Sequence, residues 1–125
     1  MADNLTDVVA NELLDALVGN AAYSVSTPIK LSLVTASGND ASPGVEVVGG
    51  GYSRQAIAFG PSSGGSIGNS GTIQFGNMPT TTVVGIELYD SAGKRIAYGP
   101  LTASKALTDG DTLQFSAASV TLTLG

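Results

Sequence analysis

Few residues of this 125-residue chain could do covalent or acid–base chemistry, and their spacing decides what they can do. Ser91-Ala92-Gly93-Lys94 spells S-x-x-K, in which a lysine one helical turn from a serine takes its proton during acylation. Here the four residues span a glycine-containing turn between two strand-like runs, and the companion S-D-N and K-T-G motifs are missing. Asp109-Gly110-Asp111 offers two carboxylates to a cation, but a calcium loop needs roughly six to eight oxygens, and the EF-hand spacing ending in glutamate is absent. Acids at a tight turn are the plainer reading. Asp40 and Glu46 read as isolated charges, and no two carboxylates are placed to face each other across a cleft. The stretch from Gly60 to Ser66 lacks the Lys-Ser/Thr of a phosphate loop and precedes a strand instead of a helix. Tyr23, Tyr52, Tyr89 and Tyr98 could line a sugar site, but without tryptophan they read as packing at the core edge.

Histidine and cysteine are both absent. Their absence removes imidazole bases, Ser-His-Asp triads, thiolate chemistry, disulfides and most zinc sites together. The expectation is a protein that is not an enzyme, with no catalytic, cofactor-binding or metal-ligating residue and no cofactor.

Charge separates two regions. Residues 1–20 carry Asp3, Asp7, Glu12 and Asp15 with no base, whereas residues 21–125 carry six acids and five bases. No basic stripe exists, so neither nucleic acid nor an anionic membrane is an expected partner. The N-terminus is acidic and lacks the basic region of a signal peptide, so the sequon Asn4-Leu5-Thr6 carries no weight. No apolar run reaches membrane-spanning length. At 42% apolar and 12% charged, the composition is that of a folded chain.

The elements that must position these residues follow from periodicity. Residues 1–20 read as a helix, capped by Asn4 or Thr6 and ended by Gly19 in a left-handed conformation. Leu5, Val9, Leu13 and Leu17 recur at four-residue steps, and Leu14 widens the stripe. The helix either closes its own domain's core or docks on a neighbour, with Leu5, Val9, Leu13, Leu14 and Leu17 as the candidate interface.

From residue 21 the period becomes two, and glycine clusters separate about eight short strands. The phasing points Ile29, Leu31 and Leu33 inward, then Ile57 and Phe59, then Ile73 and Phe75. Further on it points Val84, Ile86 and Leu88 inward, then Leu113 and Phe115, then Leu122 and Leu124. One strand is expected over 95–99 after the turn Asp90-Ser91-Ala92-Gly93, and Asp109-Gly110 is the strongest hairpin signal. The expected fold is mainly β. It is a single antiparallel β-sandwich over 21–125 with Greek-key or jelly-roll-like connections, preceded by one N-terminal α-helix.

Several stretches also resemble a known family. They are Leu13 to Gly19, Ile29 to Ala36, Glu46-Val47-Val48-Gly49-Gly50-Gly51-Tyr52-Ser53-Arg54-Gln55, Gly85 to Asp90, Gly99 to Lys105 and Gly110 to Ala117. Together they are similar to small tailed-phage virion proteins labelled tail fibre or minor tail protein. The resemblance implies a structural virion component assembled in the host cytoplasm, without catalytic residues. Its partners would be other virion proteins (major capsid or tail proteins), and a homo-oligomer, trimer favoured, is expected. A fibre shaft needs a long repeat, and this chain has none. Capsid decoration is therefore the first expectation, a minor tail or tail-fibre-associated protein the second, and a carbohydrate-binding module the third.

Overall fold

The computed structural model describes residues 5–123. The order is α1 (Asp7–Leu17), β1 (Ile29–Ala36), β2 (Val45–Glu46), β3 (Gln55–Ile57), β4 (Ser66–Gly68), β5 (Ile73–Met78), β6 (Thr81–Tyr89), β7 (Arg95–Leu107), β8 (Asp111–Phe115) and β9 (Thr121–Thr123). The fold is mainly β with one N-terminal helix, and every strand pair is antiparallel. The main sheet runs β2-β1-β6-β7, with β3 also on β1, and β4-β9 and β5-β8 form two smaller sheets in a sandwich-like arrangement.

The backbone of the fold is one long bent ribbon. β5 and β6 form one arm, and β8 and β7 form the other. Pairing runs from Ile73↔Phe115 through Met78↔Asp111 and Thr81↔Leu107 to Tyr89↔Arg95 at the tip. It bends where Pro79, which has no N–H to donate, meets Thr108–Gly110. Gly110 N–H donates to Met78 O at 2.7 Å and Asp109 N–H to Thr80 Oγ1 at 3.0 Å, so the rungs continue through the bend. Asp109-Gly110 is therefore not a hairpin turn. It redirects the second arm from the main sheet to the smaller one, with Gly110 at φ +91°. Such sheet-switching strands make the corners of sandwiches.

A strand over 95–99 proves too short an expectation, since β7 continues through Pro100 to Leu107. Pro100 is tolerated because β7 is an edge strand. The register jumps from Gly85↔Pro100 to Val83↔Lys105, which leaves a bulge over 101–104. Proline, a bulge and Lys105 all blunt an edge against further pairing. Nearer the tip the edge is covered by the chain itself, where Leu5 bridges Ala97 and Thr6 N–H donates to Ile96 O at 3.1 Å.

The core fills the inner face of the main sheet. Leu31, Leu33, Ile57, Ile73, Phe75, Leu88 and Leu113 are buried as the alternation requires, and Met78, Val83 and Val47 join them. Phase is less clean elsewhere. Ile29, Phe59, Ile86, Phe115 and Leu122 are only half-buried against the core, and Val84 is half-buried without joining it. On β6 the intervening Val83, Gly85 and Glu87 are the buried ones. β6 is central to its sheet and covered on both faces, so period-two alternation cannot name a solvent side. Leu124 lies outside the described residues.

Candidate functional site

Two surfaces carry the side chains that sequence reasoning singled out, beginning with the outer face of the main sheet. Residues 37–44 fold back over it as a strap. The neck of the strap needs glycine, because a Cβ on Gly38 would stand 2.5 Å from Gly44 N. Beneath it Ser32 and Glu87 are 0% and 2% exposed. A buried carboxylate is costly unless paired and hydrogen-bonded, and Glu87 is both. It accepts from Gly44 N–H at 2.8 Å, Tyr89 OH at 3.0 Å and Arg95 Nη1 at 3.3 Å. Arg95 Nη2 also donates to Asn39 O, and Tyr98 OH to Asp40, which pins the strap's far end. Asp7 N–H donates to Asp40 O at 3.1 Å, so the strap also holds the start of α1. Burial, and then the charge of Glu87, push the Tyr89 hydroxyl above its usual range.

Glu46 is not the isolated charge its sequence context implies. The Arg54 fork grips it at 2.9 and 3.0 Å, and Tyr52 OH donates to it at 2.6 Å. The same hydroxyl accepts from Leu33 N–H at 3.0 Å, and the Tyr52 ring stacks on Phe75 with centroids 6.0 Å apart. Arg54 lies over the Tyr89 ring at 3.8 Å. Burial acts to raise the Glu46 carboxyl, but the hydrogen bonds from Arg54 and Tyr52 outweigh it and hold Glu46 below its usual range. Desolvation, and then the bond to Glu46, push Tyr52 well above the ordinary tyrosine range. The Gly-Gly-Gly-Tyr-Ser-Arg stretch thus ties β2 to the strands beside it.

The other candidates are structural in their contacts. Ser91 Oγ donates to Thr27 O at 3.2 Å, while Lys94 Nζ donates to Glu12 at 2.7 Å, so the S-x-x-K residues face different partners. Asp90 closes that turn by accepting from the Ala92 and Lys94 N–H groups at 3.0 and 2.8 Å. Asp111 caps its own turn through Thr108 N–H at 2.8 Å. Among the described residues no group of three or more acidic, histidine or cysteine side chains could hold a metal ion. No described helix is long and apolar enough to cross a membrane. Two adjoining grooves of about 270 and 340 Å³ lie between β7 and β8–β9, sharing Ile86, Pro100, Thr102, Ser119 and Val120. Their lining is mostly apolar and hydroxyl-bearing, with Glu87 at the first and Lys105 and Gln114 at the second, and holds no pair of facing carboxylates.

Helix α1 supplies the second surface. Thr6 caps it, accepting from Val9 N–H at 3.5 Å, and Gly19 takes φ +80° beyond its end; Asn4, the other cap candidate, lies outside the described residues. Leu5 and Val9 are buried in this chain's own core, and Leu13 packs half-buried against it. Leu14 and Leu17 are instead 61% and 80% exposed, next to Val18 at 73%. The reason is geometric. Each four-residue step overshoots a full turn by about 40° at 3.6 residues per turn. The stripe therefore walks around the helix and leaves the core by Leu17. Of the five candidate interface residues, Leu14 and Leu17 are the two left exposed.

No curated protein matches the chain. A family model described as "Podophage GP4 fiber I protein gp80" matches residues 4–123, nearly the whole length. This chain belongs to that family of phage fibre proteins and is a structural component of the virion.

Proposed function

We propose that this protein is a non-catalytic building block of the fibre apparatus of a phage particle, attached through the outward side of α1. The observation that carries the reading is the match of a fibre-protein family over residues 4–123. The geometry agrees with a scaffold role. The polar side chains at the strap and at Glu46 are engaged in hydrogen bonds and ion pairs that hold neighbouring strands and the strap together. The body is compact and without repeats, which suits a cap, collar or adaptor at a fibre better than its shaft. Head decoration, the first expectation from a small single domain without a shaft repeat, shares these physical features and differs in number and place. Quantitative mass spectrometry of purified particles, with labelling by an antibody against the chain, tests the choice. A few to tens of copies per particle, located at the tail, is the expected result. Hundreds of copies spread over the head would replace the fibre reading with decoration.

A further inference from the structure

We propose that the exposed side of α1 seats in an apolar groove rimmed by lysine or arginine on a different virion protein, and not on a second copy of this chain. The inference rests on the reading of α1 as the attachment point and names the chemistry of what it meets. Leu14, Leu17 and Val18 form the apolar stripe, and all three are more than half exposed. At about 100° per residue, Asp7 falls in line with Leu14 and Val18, and Asp15 flanks them. The third acid, Glu12, is already tied to Lys94 at 2.7 Å. Asp7 and Asp15 make no ion pair among the described residues. The helix has no base in its last turn, so the negative end of its dipole is also unmatched.

A second copy is a poor match for this surface. Of the five bases in the chain, Arg54, Lys94 and Arg95 are held in internal ion pairs. Lys30 and Lys105 remain, on separate strands. Two helices packed stripe to stripe would set aspartates against aspartates, and like charges so placed are destabilising. The area argues the same way. A patch of three side chains is at the small end of those found on ordinary monomers. Two copies sharing it would bury far less than the roughly 1,600 Å² of a standard stable interface. A groove on another protein can enclose the helix from several sides, and cations on its rim would complement Asp7, Asp15 and the helix end.

The test uses the full chain and particles assembled without it. The purified chain is expected to sediment as a monomer, and its binding to the deficient particles should weaken as salt rises. Leu14→Asp with Leu17→Asp should abolish binding, and Asp7→Asn with Asp15→Lys should lower affinity at least tenfold and flatten the salt dependence. The single variant Asp15→Asn, at an exposed position, should give a smaller loss in the same direction and guards against a helix weakened at its start. Unchanged or tighter binding by the charge variants overturns the basic-groove inference while leaving α1 as the attachment point. So does an oligomer of the pure chain that the charge variants strengthen. Normal binding by the Leu14/Leu17 variant overturns the attachment reading itself.

Discussion

The two faces of the β1–β6 sheet are both closed to water, but by different physics. On the inner face Leu31, Leu33 and Leu88 meet Ile57 and Phe75 through apolar contact. On the outer face Ser32 and Glu87 lie under a glycine-necked strap, held by hydrogen bonds from Gly44, Tyr89 and Arg95. Apolar burial is non-directional and proportional to area, about 25 cal/mol per Å². A buried carboxylate is instead worth having only if each partner stands in place. The inner face should therefore lose stability in proportion to the volume removed. The outer face should tolerate either a complete network or none.

The sharpest break of the inner face is Phe75→Ala. It removes a 1%-exposed ring that contacts both Tyr52 and Phe115, and should cost about 3–5 kcal/mol in urea unfolding. On the outer face Glu87→Ala strands Arg95 and the Gly44 N–H, with an expected cost of about 3 kcal/mol. The contrast is sharpened by Glu87→Leu with Arg95→Met, which should recover much of that loss, because the stranded charge goes with its partner. If the double variant is as unstable as Glu87→Ala, the outer face is held by the strap's backbone geometry and not by the ion pair.

The smallest effect concerns pH at the Glu46–Tyr52–Arg54 cluster. Glu46 has a folded-state pKa below its unfolded value near 4.5, so its contribution is present above that value and is lost as pH falls through the lowered pKa. Tyr52 is raised above its unfolded value of 10.0, so stability is intact below that pH and declines as pH rises beyond it. Urea melts across pH should show a plateau between these limits. Tyr52→Phe should soften the alkaline decline without removing it, because Tyr23, Tyr89 and Tyr98 are raised as well. Glu46→Gln should flatten the acid side slightly, since the pair is partly exposed to solvent.

What was legible in the sequence followed from local periodicity. The helix cap at Thr6, the left-handed Gly19 and the inward Leu31, Leu33, Ile73 and Phe75 are all set by residues within a turn or a strand of one another. The Asp109-Gly110 signal was equally local, but its partner sits across the bend at Met78, whose carbonyl accepts from Gly110 N–H. Glu87 alternates with the inward-phased Ile86 and Leu88, and its cover comes from residues 37–44, a loop folding back from elsewhere that no pattern on β6 reports. Of the interface candidates, the four-residue spacing made Leu5, Val9, Leu13 and Leu17 look like one face. The small rotation per step is what divides Leu5 and Val9 from Leu17.

The bent ribbon also sets an order in time. Its tip closes between Tyr89 and Arg95, only a few residues apart, and Asp90 pre-forms that turn by gathering the Ala92 and Lys94 N–H groups. Each further rung then adds to a chain end already held nearby. β1 reaches β6 across a far longer loop, from Ser32 to Glu87, which by the logarithmic scaling of loop closure costs about 2 kcal/mol more in entropy than closing the tip. The ribbon is thus the part of the molecule that can zip unaided, from its tip toward Ile73 and Phe115. β1 must find an edge that is already formed, and until it does that edge stands open to pairing with any other strand that reaches it.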